Sequence, residues 1–246
     1  MATAYAAARE SAGAGETDAF AASELPAGRS YDAVLALSRS GTTSEVAAAL
    51  AAFPSSVQSY AVVGVAETPI ATVASHHAVL DFADEESVVQ TRFATTALAY
   101  LLAGLGLDIE TAAADAEVAL DAQLPVEPQV VESFVFLGRG WTVGLAAEAA
   151  LKLREAALAW AEAYPALEYR HGPIALAAEG TVVWPIGEVA PDLLQDVQAT
   201  GASLVGAGLH PLAELVLVQR TAVALARAKS LDPDNPRNLT RSVVLR

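Results

Sequence analysis

Three groups of residues have the types and spacing to do chemistry. The first is Ser38, Arg39, Ser40, Gly41, Thr42 and Thr43, which follows the apolar run AVLAL and precedes the helix-like SEVAAAL. A turn between a strand's carboxyl end and a helix N-terminus presents free N–H groups and the positive end of the helix dipole to an anion. Ser38, Ser40 and Thr43 add hydroxyl donors, and Gly41 lets the backbone approach closely, so the turn suits a phosphate without a lysine. The same letters also spell an ordinary capping box from Thr42 to Glu45, whose side chains merely satisfy the helix's first donors. The turn alone leaves both readings open.

The second group is Glu148, Lys152 and Glu155. Spaced by four and then three, they fall within about 60° of one another on a helix otherwise rich in Ala, Leu and Val. The stripe faces a partner or pocket, or else it is a solvated row of ion pairs worth a few tenths of a kcal/mol each. The third group is Glu162, Tyr164, Glu168, Arg170 and His171, crowded before Gly172 and Pro173 in a chain with 17% charged residues. His171 could exchange a proton near neutral pH. His76, His77 and His210 are read as structural.

The elements that must position these groups alternate short apolar runs with longer helical ones, the pattern of parallel sheets covered by helices. Strands are predicted at Ala33–Leu37, Tyr60–Val65, Ala78–Phe82, Ser133–Leu137, Thr181–Pro185 and Ala202–Val205. Helices are predicted at Ser44–Ala52, Ser87–Gly104, Ile109–Gln123, Thr142–Ala161, Pro191–Thr200 and Pro211–Ser230. The segment Leu124–Gln129 carries two prolines and is the expected boundary between a first lobe, 1–125, and a second, 130–246. Both lobes contain a strand, a small-residue turn and a helix in succession, at AVLALSRSGTTSEV and at FVFLGRGWTVGL.

Composition narrows the function. The 246 residues carry 14 basic and 29 acidic side chains, a net charge of −15, so neither nucleic acid nor an anionic membrane is an expected partner. The chain has no cysteine, which excludes disulfides, thiolate nucleophiles and Cys-ligated zinc and favours a cytoplasmic address. Its longest weakly polar stretch, Ala94–Leu107, is shorter than the roughly 20 residues a bilayer span needs, and the start lacks a signal pattern. No His or carboxylate spacing matches a metal-ligand motif, and neither metal nor cofactor is expected.

Taken together, LSRSGTTSEV, ESVVQTRFATTAL, the run from GRG at 138 through AEAALKLREAALAWAEAYPALEYRHGPIAL, and DPDNPRNLTRSV resemble the sugar isomerase (SIS) domain family. Within it, they are most similar to the isomerase half of glucosamine-6-phosphate synthase. The resemblance covers the chain from about Ser23 onward. It implies an α/β fold of two flavodoxin-like lobes and a site for a hexose or hexosamine 6-phosphate. It implies that Ser38, Arg39, Ser40, Gly41 and Thr43 hold the phosphate, with Val88 and Gln90 beside the sugar. Glu155 then matches the carboxylate that moves a proton between C1 and C2, Lys152 a lysine supporting the intermediate, and His171 a ring-opening residue contributed across a homodimer interface. Aldose–ketose isomerisation, with or without deamination, is the implied activity, and a noncatalytic sugar-phosphate sensor is the alternative.

Several departures shape these expectations. The synthase's glutaminase domain and its cysteine have no counterpart here, so glutamine-dependent aminotransfer is not expected. Arg241 stands where the family has an imine-forming lysine, and a guanidinium is a poor Schiff-base former, although it can clamp phosphate or carboxylate. Gln90 replaces a small hydroxyl residue. The first 22 residues resemble the back half of the family's first helix. The strand before that helix is expected to be missing, which would leave two strand edges open or a first lobe closed differently; a chain that folds poorly is a third alternative. From Arg220 to Arg246, six basic residues face two acidic ones, a surplus of +4, and this basic tail is expected to cover a dianionic substrate.

Overall fold

The computed structural model describes residues 1–127 and 131–245. Pro128 and Gln129 of the expected boundary segment, and Arg246 of the basic tail, lie outside them. The chain opens with α1 (Ala2–Ser11), followed by β1 (Ala33–Ser38), α2 (Ser44–Ala51), β2 (Gln58–Val63), α3 (Pro69–Val73), β3 (His76–Val79), α4 (Arg92–Gly104) and α5 (Ile109–Asp121). The second half comprises β4 (Ser133–Gly138), α6 (Thr142–Ala157), β5 (Trp160–Pro165), β6 (Thr181–Ile186), α7 (Pro191–Ala199), β7 (Ser203–Leu204) and α8 (Pro211–Ala228). Two wholly parallel sheets result, ordered β1-β2-β3 and β5-β4-β6-β7. This is the two-sheet α/β arrangement expected.

Helix α6 is central because its sequence is apolar on nearly every side. Leu145, Ala146, Ala149, Ala150 and Leu153 are fully buried and share one core with Phe134 and Phe136 of β4 and with Leu215, Val218 and Leu225 of α8. Ala4 and Ala8 of α1, Leu98 and Leu102 of α4 and Ala112 of α5 join the same core, so apolar packing runs continuously between the two halves. Gly144 permits the α1 contact, since a Cβ there would lie 2.5 Å from the backbone nitrogen of Ala4.

Two boundaries differ from the sequence reading by four residues or more, each for a local reason. Helix α6 stops at Ala157, not Ala161, because Leu158 adopts a left-handed conformation with φ of 50°, and the N–H groups of Leu158 and Ala159 close the last turn on the carbonyls of Arg154 and Leu153. The residues beyond form β5, a strand the sequence reading placed inside the helix and its ionisable cluster. Helix α4 starts at Arg92, not Ser87: the Glu85 carboxylate accepts from the N–H groups of Thr91, Arg92 and Phe93 and so leaves 84–91 as a loop. Among the described residues, no strand precedes β1, as expected, and only a 3-10 turn, Ala22–Glu24, lies between α1 and β1. The first sheet is therefore a contiguous set of three, with β1 paired on one side only.

Candidate active site

The serine-rich turn lies at the carboxyl end of β1 and runs directly into α2. Its backbone is fixed from three directions. Gly64 N–H donates to the Arg39 carbonyl at 2.9 Å, Ile70 N–H donates to that of Gly41 at 3.1 Å, and Gly41 itself has φ of 64°. A Cβ at Gly41 would sit 2.1 Å from Thr68 Oγ1, whose residue is buried. Gly41→Ala therefore combines left-handed strain with a steric clash, and a loss of about 2–4 kcal/mol in a thermal or denaturant melt is expected; an unchanged melt would show that the turn adapts.

The capping box does not form. Thr43, the N-cap of α2, makes no side-chain cap bond, while the Thr42 hydroxyl lies 3.1 Å from Ser40 Oγ and 2.8 Å from Ser242 Oγ in the tail. Ser38 and Ser40 are buried beside it. The Arg39 guanidinium is committed to the neighbouring loop: it donates to the carbonyls of Ser87 at 2.5 Å and Val88 at 3.4 Å, and to that of Arg241 at 3.4 Å. Burial, and next the nearby Arg241 cation, pull Arg39 below the usual guanidinium range. Half-buried Val88 is held on its other side, its N–H donating to the Asp234 carbonyl at 2.9 Å, and Gln90 follows in the same loop.

The stripe on α6 is not solvated. Lys152 is 3% exposed, and its Nζ lies 2.5 Å from Glu155 Oε2 and 3.3 Å from Glu148 Oε1. It forms part of the wall of a cavity of about 700 Å³ shared with Glu85, Ser87, Thr91, Gln219 and Asp234. Glu155 is close enough to Arg39 to interact with it electrostatically. The loop at 84–91 thus joins the turn through Arg39 and shares the cavity wall with Lys152, and the tail meets the turn at Ser242, while Glu155 and residues 38–43 do not line the cavity; hydroxyl donors, a helix N-terminus and an ammonium–carboxylate pair are linked through this one loop. Such a set can bind an anion and transfer a proton at a neighbouring carbon.

His171 lies elsewhere on the chain. It is exposed at the end of the 3-10 segment Ala166–His171 after β5 and takes no part in the cavity wall. Arg170 beside it pins that segment to α7 through Asp192 at 3.0 Å and Asp196 at 2.7 Å. Burial pushes the Tyr169 hydroxyl up to about 12, while the Tyr164 ring lies tilted against its ring, with centroids 5.6 Å apart. His210 is structural, its Nδ1 accepting from Leu212 N–H at the start of α8.

The basic tail is used differently from the expectation. Arg220 donates to the carbonyls of Ala119 and Ala122 at the end of α5, and Lys229 donates to that of Ala157 at the end of α6. Both complement the negative ends of helices rather than a ligand. Arg241 does reach the turn's neighbourhood, but its guanidinium grips Asp84 at 2.6 and 2.8 Å and also donates to the Glu85 carbonyl. Asp84 and Glu85 were not singled out from sequence; the one local signal was the acidic run Asp84, Glu85 and Glu86 shortly before a helix start.

No family model matches the chain. It is 29% identical to glutamine–fructose-6-phosphate aminotransferase [isomerizing] of Methanothermobacter thermautotrophicus over 93% of its own length, and it spans 47% of that relative. Among solved structures, glucosamine-6-phosphate deaminase from Thermotoga maritima matches 99% of the chain, and 86% of its own, with a TM-score of 0.82 at 24% identity. Tagatose-6-phosphate ketose/aldose isomerase from Escherichia coli matches all of the chain, and 82% of its own, with a TM-score of 0.80 at 18% identity.

Proposed function

We propose that this chain, an SIS-type phosphosugar isomerase domain resembling the isomerase half of the aminotransferases and glucosamine-6-phosphate deaminase, interconverts the aldose and ketose forms of a hexose or hexosamine 6-phosphate. The supporting observation is the buried Lys152, held 2.5 Å from Glu155 on the wall of the cavity that the 84–91 loop also lines. In this reading the turn and the start of α2 bind the phosphate dianion, and the loop carrying Val88 and Gln90 borders the sugar. Glu155 removes the proton from the carbon next to the carbonyl, giving an enediol, and returns it to the adjacent carbon, while a hydroxyl proton passes between O1 and O2. The Lys152 ammonium offsets the oxyanion charge that develops.

When C2 carries an amino group, the same proton shift yields an imine at C2, and one water then releases ammonia and leaves the ketose. Ring opening is assigned to His171 of a second copy, in keeping with its exposure and its position away from Glu155. Arg241, bound to Asp84, serves as an anchor for the tail rather than as an imine-forming group.

A panel of hexose and amino-hexose 6-phosphates, with product sugar and ammonia both measured, tests this assignment. Turnover of at least one member is expected, together with a raised melting temperature, since a ligand at 100 times its Kd stabilises by about 2.7 kcal/mol. Binding without turnover of any member would make the chain a sugar-phosphate sensor instead.

A further inference from the structure

The pairing of Arg241 with Asp84 joins segments more than 150 residues apart. It is the charged anchor of the tail among the described residues. Beyond it the tail crosses the first turn of α2. Ser242 Oγ meets Thr42 Oγ1 at 2.8 Å, the Val243 carbonyl accepts from Ser44 N–H at 3.2 Å, and Leu245 N–H donates to Ser44 Oγ at 3.0 Å. These are neutral hydrogen bonds near the surface, individually weak. The Arg241–Asp84 contact is charge-assisted, one guanidinium nitrogen reaching both carboxylate oxygens while the other donates to the Glu85 carbonyl, and so is stronger than these neutral bonds. Asp84 also supplies the negative charge that lets Arg241 sit beside Arg39, whose side chain binds the Arg241 carbonyl.

We infer that Asp84 is a positioning residue: by clamping Arg241 it fixes residues 240–245 over the phosphate turn and holds Ser242 in the hydroxyl chain that runs through Thr42 to Ser40. The consequence for turnover rests on the phosphate-site reading proposed above, whereas the consequence for the tail does not. Asp84→Asn removes the charge with little change of shape, and Asp84→Glu keeps it.

Hydrogen exchange on the full chain should show the Ser44 and Leu245 amides exchanging at least about tenfold faster in Asp84→Asn, with β4 amides unchanged and Asp84→Glu close to the parent. With the sugar phosphate turned over by the parent, KM should rise about tenfold in Asp84→Asn while kcat falls less than about threefold. Parental exchange at Ser44 and Leu245 in Asp84→Asn would overturn the clamp, and faster exchange with a KM unchanged or lowered would overturn its consequence for turnover. If the parent turns over none of the panel, the proposed function fails by itself, and the exchange comparison still decides whether Asp84 holds the tail.

Discussion

Glu155→Gln is expected to lower kcat by about 10²–10⁴, the usual contribution of a general base, while the Kd for the sugar phosphate stays within about threefold. The substitution is nearly isosteric. The amide oxygen can still accept from Lys152 Nζ, which lies 2.5 Å from the present carboxylate, so the helix and the ammonium stay in place. What disappears is the negative charge and the capacity to hold a proton. In the proposed site the phosphate contacts come from the turn at 38–43 and the start of α2, which Glu155 does not build, so binding is expected to be retained. Turnover in a coupled assay and Kd by calorimetry separate the two quantities. Parental kcat in the variant would remove Glu155 from the reaction, and an equal loss of binding would make it a structural residue of the cleft.

What the sequence could and could not show follows from how far apart the partners lie. The serine-rich turn was legible because strand, turn and helix are contiguous, and the α6 row because its three members fall within eight residues. Whether Thr42 caps the helix was not, since its hydroxyl is claimed by Ser242, 200 residues away. The capping role of Glu85 toward α4 was hidden because the carboxylate stands outside the helix it serves. Strand β5 was masked by composition: ALAWAEA continues the alanine-rich pattern of α6, and the break is a left-handed Leu158 where a glycine would have announced it. The tail's positive charge was visible, but not that Arg220 and Lys229 spend theirs on helix carbonyls brought near only by folding. The position of His171 relative to Glu155 was likewise unreadable, because β5 and its 3-10 segment carry it to an exposed surface.

Lys152→Met carries the largest expected effect on stability. Its side chain is 3% exposed and stands between Glu148, 10% exposed, and Glu155, 23% exposed. Methionine fills much of the same volume, so the test removes the ammonium more than the packing. Two poorly hydrated carboxylates, one about a turn to each side of position 152, would then lack a counter-charge, and breaking a buried pair in this way costs about 3–5 kcal/mol. For a chain of this size that corresponds to a melting temperature lower by roughly 6–20 °C. A solvated row, by contrast, would yield only a few tenths of a kcal/mol per pair and a shift of about 1–2 °C. Adding Glu148→Gln to Lys152→Met removes one of the stranded charges and should recover part of the loss, a coupling of about 1–3 kcal/mol. It restores no ammonium beside Glu155, so turnover should stay low in the double variant. Recovery of stability and activity together would mean that Lys152 acts on the fold alone, whereas recovery of stability without activity separates its structural service from its part in the chemistry.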